Sequence, residues 1–288
     1  LKQSITSLFG GSEENLTAQE LAWQGMDSFE EGKYKKAIEH YRQILSLLKK
    51  RNIKVALTLW HWTNPLWIAE KGGWENCHTA EYFIRYVERV VKELGEYVDY
   101  WVVLNEPLLV IGHGYLDGKF MPNRKKDIFG ALKLYKHFVR AYKESYKVIH
   151  EKFPDAKVSV TILTGFVEPA HRWNPLEWGL AKFISFLRND LFFCHVKHFD
   201  FIGIDYYHHN RIVWYPPFSK NKNEIMTDFN WEYYPEGIYH VINNYKKFKK
   251  PMLILENGLA DRDDVLREKF IKEHLAWVHK IGRASCRE

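Results

Sequence analysis

The sequence is poor in cysteine, has no long apolar run, and carries little excess of either charge. Three Cys in 288 residues cannot build the disulfide framework of a small secreted scaffold, so a reducing compartment is expected. No apolar stretch approaches the ~18 residues needed to cross a bilayer. The longest, such as Ile53–Trp60, are strand-sized and include Lys or Thr. Forty-two basic and 36 acidic side chains give +6, too weak and too dispersed to argue for nucleic acid. Neither a nucleic-acid nor a membrane partner is therefore expected. No GxGxxG or GxxxxGK[ST] follows a strand pattern, which removes support for the nucleotide-binding folds. The chain begins with Leu, and no basic segment followed by an apolar one opens it, so a cytoplasmic protein, read as a fragment, is expected. What the sequence does have is aromatic content: 11 Trp, 17 Tyr and 18 Phe. Such rings can fill a core, or they can stack on the flat C–H faces of sugars.

From Tyr34 onward the hydrophobic pattern becomes regular. Helical spacing is expected over 34–50, 79–95, 128–150, 178–191, 236–248 and 263–280. Near-continuous apolar strands, of the kind buried on both faces, are expected at 53–60, 97–105, 157–163, 199–207 and 251–257. Strands that alternate with helices build parallel sheets through right-handed crossovers. Two α/β architectures compete: an open doubly wound sheet and a (β/α)8 barrel. Polar and aromatic residues gather where the strands end, at Trp60-His61-Trp62, Asn105-Glu106, Asp205-Tyr206-Tyr207 and Glu256-Asn257. Reacting groups sit at those ends in a barrel. Five strands fall short of eight.

Glu106 and Glu256 each close an apolar strand, and each adjoins an Asn. A Glu there is costly to bury unless it is hydrogen-bonded or functional. A solvated strand end explains either one alone more easily than both together. Two carboxyls facing across a pocket can cleave a glycosidic bond. One must be protonated to release the leaving oxygen, and the other ionised to attack the anomeric carbon or activate water.

The stretches LTLWHWTNPLW (57–67), LNEP (104–107), TDFNWEYYPEGIY (227–239) and LILENGLAD (253–261) together make the match specific. From about residue 30 to 280 the chain resembles a family 1 glycoside hydrolase, a retaining β-glycosidase on a (β/α)8 TIM barrel. The resemblance implies hydrolysis of terminal β-D-glucosides or related β-glycosides, with no metal and no cofactor. The implied partner is a small-molecule β-glycoside or oligosaccharide substrate; nothing is implied about oligomeric state. It makes Glu106 the general acid/base and Glu256 the nucleophile. It has Asn105 bind the sugar's 2-hydroxyl, His61 and Trp62 line the sugar subsite, and Tyr207 hydrogen-bond the nucleophile. Asp205 stands where the family commonly has Asn; an extra carboxylate beside Glu256 would raise that group's pKa or its own.

Other family features are not found: a Gln of the first strand, an Arg of the second, and a Trp and Glu of the last. The resemblance therefore covers about strands three to seven, and an incomplete barrel is expected. Residues 1–28 are read as an unmatched segment, 29–280 as the partial glycosidase domain, and 281–288 as a tail derived from a sequencing adapter. An inactive, at most sugar-binding fragment is the alternative reading. A lesser one is a helical-repeat protein, because 21–45 is similar to one tetratricopeptide unit; such arrays need about three repeats. Cys194, His195, His198, His208 and His209 have no metal-site spacing. Trp173, Trp178, Trp214 and Trp231 are candidates for stacking on the aglycone side, with core packing equally open.

Overall fold

A computed structural model describes residues 33–221 and 225–285, with isolated positions between 20 and 27. Residues 1–19 of the unmatched segment, most of the repeat-like start and residues 286–288 of the tail lie outside the described residues. Five strands alternate with helices. The order is α1 (Tyr34–Lys50), β1 (Ala56–Thr58), α2 (Leu66–Glu70), α3 (Cys77–Leu94), β2 (Tyr100–Asn105), α4 (Pro107–Ile111) and α5 (Ile128–Lys152). Then come β3 (Lys157–Pro169), α6 (Pro175–Ser185), α7 (Leu191–Val196), β4 (Ile202–Ile212), α8 (Gly237–Tyr245), β5 (Met252–Asn257) and α9 (Arg267–Ser285).

All the strands are parallel, in the spatial order β1-β2-β3-β4-β5. A doubly wound sheet reverses its order at a switch point. This one never does, so it is the wall of a barrel rather than an open sheet. The central strands are buried on both faces: five of the six residues of β2 are buried, Trp101 to Asn105. The helices supply the outer layer. On α3, Ala80, Phe83, Val87, Val91 and Leu94 recur at helical spacing and are buried. On α5 the buried positions include Leu134, Phe138, Ala141, Tyr142 and Ile149. These stripes, Leu94 excepted, pack into one core with Trp101, Val103, Val158, Val160 and Ile204, while Leu94 packs with Leu45 and Val55.

Several boundaries differ from the sequence expectation. Helices α3 and α6 begin earlier than expected, and α5 at the expected Ile128, each where a short polar side chain caps it: Asn76 accepts from His78 N at 3.0 Å, Asp127 from Gly130 N at 2.9 Å, and Asn174 from Leu176 N at 3.0 Å. Caps of this type set a helix start independently of the apolar stripe. Strands β3 and β4 run past 163 and 207, paired from Gly165↔His208 to Pro169↔Ile212. The β4 extension is mostly polar, and that of β3 mixes Phe166 and Val167 with Thr164, Gly165 and Glu168, so no continuous apolar run announces them. Helix α9 continues through Gly282 to Ser285, beyond the boundary expected at residue 280.

Candidate active site

The C-terminal strand ends converge on one carboxyl cluster. Glu106 directly follows β2 and precedes Pro107, which opens α4 with its ring at the first helical position. Its backbone is left-handed, at φ 44°. A non-glycine residue held there costs about 1–3 kcal/mol, and such strain concentrates at functional sites. The Glu106 N–H donates to Thr161 O on β3 at 3.0 Å, which fixes the turn. Asp205 on β4 is the register partner of Glu256 on β5, just past an irregularity between Ile204 and Asp205. A similar irregularity separates Val102 from Asn105. Bulges re-aim the side chains that follow them, and here they turn three carboxyls toward one point. One oxygen each of Glu106, Asp205 and Glu256 lies within 4.8 Å of the others.

Burial then sets their charge. Glu106 is 3 % exposed and its Oε1 has no hydrogen-bonding partner. Desolvation, reinforced by the negative charges of Asp205 and Glu256, pushes its carboxyl up to about 8. Asp205 is 0 % exposed. Burial pushes it up to about 7, opposed by hydrogen bonding from Thr161 and from the Glu256 backbone and reinforced by the charge of Glu256. Glu256 is half-buried and accepts a hydrogen bond from the Tyr207 hydroxyl at 2.8 Å. Burial and that bond raise the Tyr207 pKa, so it stays a donor.

Asn105 sits beside the cluster and is buried. Thr161 Oγ1 donates to its Oδ1 at 2.8 Å, and His61 Nε2 lies 3.3 Å from its Nδ2. Trp62, also left-handed at φ 69°, donates from Nε1 to Asn105 O at 3.2 Å. His61 is exposed at this rim, with its ring 5.0 Å from that of Trp62. The seven residues gather on one side of the sheet: His61 and Trp62 after β1, Asn105 and Glu106 at the end of β2, Asp205 and Tyr207 within β4, and Glu256 near the end of β5. Thr161 was not among them. Its signal was weak, since Thr161 stands inside the strand run Val158–Leu163 rather than at its end.

Of the aglycone candidates, Trp231 packs near Tyr207, with centroids 5.9 Å apart. Trp173 and Trp214 are exposed, and no contact links them to the carboxyls; Trp178 instead lines a cavity of about 500 Å³ beside α6 and α8 that includes none of the seven. The histidines do not gather as a metal set. His195 contacts Tyr135 Oη at 2.9 Å, and His209 is buried against Glu232 at 2.5 Å. Cys194 is exposed and free.

Parallel strands wound one way, with two strand-end carboxyls meeting across the mouth, define a barrel of the glycoside-hydrolase class. The chain belongs to glycosyl hydrolase family 1, whose family model matches residues 28–203. It is 30% identical over 270 residues to the 1,4-beta-D-glucan glucohydrolase of Thermotoga neapolitana, covering 81% of this chain and 63% of that protein. It is 28% identical over 271 residues to beta-glucosidase A of Thermotoga maritima, covering 81% of this chain and 60% of the relative. The structure of a family 1 β-glucosidase from Thermotoga maritima in complex with isofagomine lactam superposes with a TM-score of 0.79 at 25% identity. That match covers 87% of this chain and 66% of the other. The chain thus spans somewhat under two thirds of the length of these relatives.

Proposed function

We propose that the protein hydrolyses terminal β-D-glucosyl or related β-glycosyl residues, in a small glycoside or an oligosaccharide, by double displacement with retention. The observation that carries this reading is the pairing of Glu106 and Glu256, close together but unlike in environment. Carboxyl groups about 5–5.5 Å apart suit direct attack, whereas inverting pairs stand about 6.5–9.5 Å apart to admit a water. The 4.8 Å limit between their oxygens supports the first case.

Glu106, kept protonated by burial and by its acidic neighbours, gives its proton to the leaving oxygen. Glu256, oriented by Tyr207, attacks the anomeric carbon and forms a glycosyl–enzyme ester. Glu106, now a carboxylate, takes a proton from water as that water cleaves the ester. Asn105 has its oxygen engaged by Thr161 and one amide hydrogen facing His61. Its second amide hydrogen is left for the sugar's 2-hydroxyl, where a bond that tightens in the transition state raises turnover. His61 and Trp62 supply a polar and an apolar wall to the same subsite. The names of the relatives support a glucoside or galactoside-sized ring.

The test is made in a version of the chain extended to the length of its relatives. Glu256→Ala should lower turnover of a nitrophenyl β-glucoside by at least about 10³-fold, and added azide should restore part of it. Undiminished turnover overturns the assignment. Glu106→Gln should still be glycosylated by activated aryl glucosides, with breakdown of the intermediate slowed. Loss of that first step would remove Glu106 from the acid/base role.

A further inference from the structure

We propose that helix α6, with the loops that flank it, docks the protein on a lipid surface bearing anionic headgroups. Three observations carry this. The first is a reversed helix. A surface helix ordinarily turns its apolar stripe inward. Of the 11 residues of α6, only Glu177 and Ala181 are buried. Leu176 is 64 % exposed, Trp178 and Phe183 are exposed too, and Phe186 and Leu187 continue the exposed apolar surface just past the helix. The second is support from within. Glu177 is completely buried; it accepts from His171 N at 2.7 Å and lies 3.0 Å from His171 Nδ1. The backbone N–H of Trp214 donates to the same carboxylate. One inward acid thus joins α6 to the two loops from which Trp173, 80 % exposed, and Trp214 project. Trp178 Nε1 donates to Arg172 O at 2.8 Å, which ties the helix to the first of those loops again. The third is charge. Segments 170–188 and 213–220 contain Arg172, Lys182, Arg188 and Lys220, and Glu177 is their one acid. With Glu177 turned inward, every formal charge that these segments show to solvent is positive.

Exposed Trp among aliphatic side chains and cations suits a surface that lies in a headgroup layer, with the rings at the interface and the cations on anionic lipid. Other covers fit less well. A further strand would pair at β1 or β5, the edges of the sheet, whereas α6 follows β3, which is paired on both sides. A second copy would set like charges against each other. A saccharide stacks on rings, and Leu176 and Leu187 offer none. Among the described residues no helix is long and apolar enough to cross a membrane. A helix lying in the interface buries one face and needs no such length. Helix α6 starts at the end of the sheet that carries the carboxyls, so a docked chain holds that site near the headgroups. The docking does not rest on the glycosidase reading, and it is measured without turnover.

The 288-residue chain is sedimented with sucrose-loaded vesicles of phosphatidylcholine alone, and of phosphatidylcholine mixed equally with phosphatidylglycerol. It should bind the mixed vesicles at least about tenfold more strongly than the neutral ones, and added salt should weaken this binding. Trp173→Ala with Phe183→Ser removes two exposed rings and should weaken binding at least about tenfold. Lys182→Glu reverses one exposed charge and should weaken binding to the mixed vesicles about tenfold. Ile271→Ser with Leu275→Ser, at exposed positions of α9, should leave the partition unchanged. Circular dichroism of each variant establishes that it is folded. Should Phe183→Ser disturb the fold, Trp173→Ala is read alone, with a loss in the same direction. The proposal is overturned by an absence of binding to the mixed vesicles, by equal binding to both kinds, or by folded α6 variants that bind as the wild type does. A loss in the α9 variant as large as in the α6 variants also overturns it. If the α6 variants lose self-association and no vesicle is bound, the face belongs to a second copy and not to lipid.

Discussion

Asp205 changes the electrostatics of a site that needs only two carboxyls for its chemistry. It faces Glu106 and Glu256 from between them, and its charge is one of the causes that push Glu106 up to about 8. Under the proposed mechanism the alkaline limb of kcat/KM reports the loss of the Glu106 proton. Removing the Asp205 charge should lower the Glu106 pKa, so Asp205→Asn should move that limb to lower pH. A limb that stays in place, or moves up, contradicts the coupling. The same residues set a pH dependence of stability. Both carboxyls are raised in the folded chain, so between pH 4 and 8 the unfolded chain binds fewer protons than the folded one. Stability then falls as pH rises through this window. Asp205→Asn should therefore raise the thermal midpoint at pH 8 relative to wild type by more than it does well below the unfolded aspartate value of 3.8, where the carboxyl is protonated in both states. An equal gain at both ends of the range would mean that packing, not charge, is responsible.

At the scale of strands and helices, the fit between β3 and β4 is as close as backbones allow. A Cβ added to Gly203 would lie 2.7 Å from Val160 O and 2.9 Å from Thr161 Cγ2. The first of these is backbone and cannot rotate away. Gly203→Ala should cost about 1–3 kcal/mol, read as a lower urea midpoint with an unchanged slope. It should also disturb Asn105, because Thr161 is what orients it. No cost would show that β4 can shift, and that the register carrying Asp205 is loosely held. The apolar strands and helical stripes that build this layer were legible in the sequence, because burial on both faces leaves an uninterrupted run. So were the two glutamates, each closing such a run. The extensions of β3 and β4, broken by Gly165 and Glu168 and by His208 to Arg211, were not legible. They are held by pairing with each other and by a buried ion cluster of Glu168, His209, Arg211 and Glu232, whose members are scattered in sequence. The bulges were also hidden, since a one-residue shift in register leaves no compositional mark. Yet it is the bulges that bring Asp205 into the cluster.

Across the whole molecule the difference lies between the centre of the sheet and its ends. Among the described residues β1 pairs only with β2, and β5 only with β4. None of the six residues of β5 is fully buried, and Ile254 is 39 % exposed, whereas β2 is enclosed. On α9, the helix after β5, Ile271 and Leu275 are exposed as well. An apolar strand edge beside an apolar helix face is a surface for association, with other chains or with hydrophobic dyes. Glu256 lies on β5, so the proposed attacking group rides on an edge strand with no fully buried residue, while Glu106 directly follows the enclosed β2. Displacement by even about 1 Å can cost on the order of 10²-fold in rate when the reacting groups must meet in line. A polypeptide of these 288 residues should therefore turn over a nitrophenyl β-glucoside at least about 10²-fold more slowly than a version extended to the length of its relatives. It should also bind more of an apolar dye than the extended version does, and self-associate in sedimentation. Equal rates in the two would mean that Tyr207 and the Asp205–Glu256 pairing hold the nucleophile without help from a further strand. In that case the site is complete in β1 to β5.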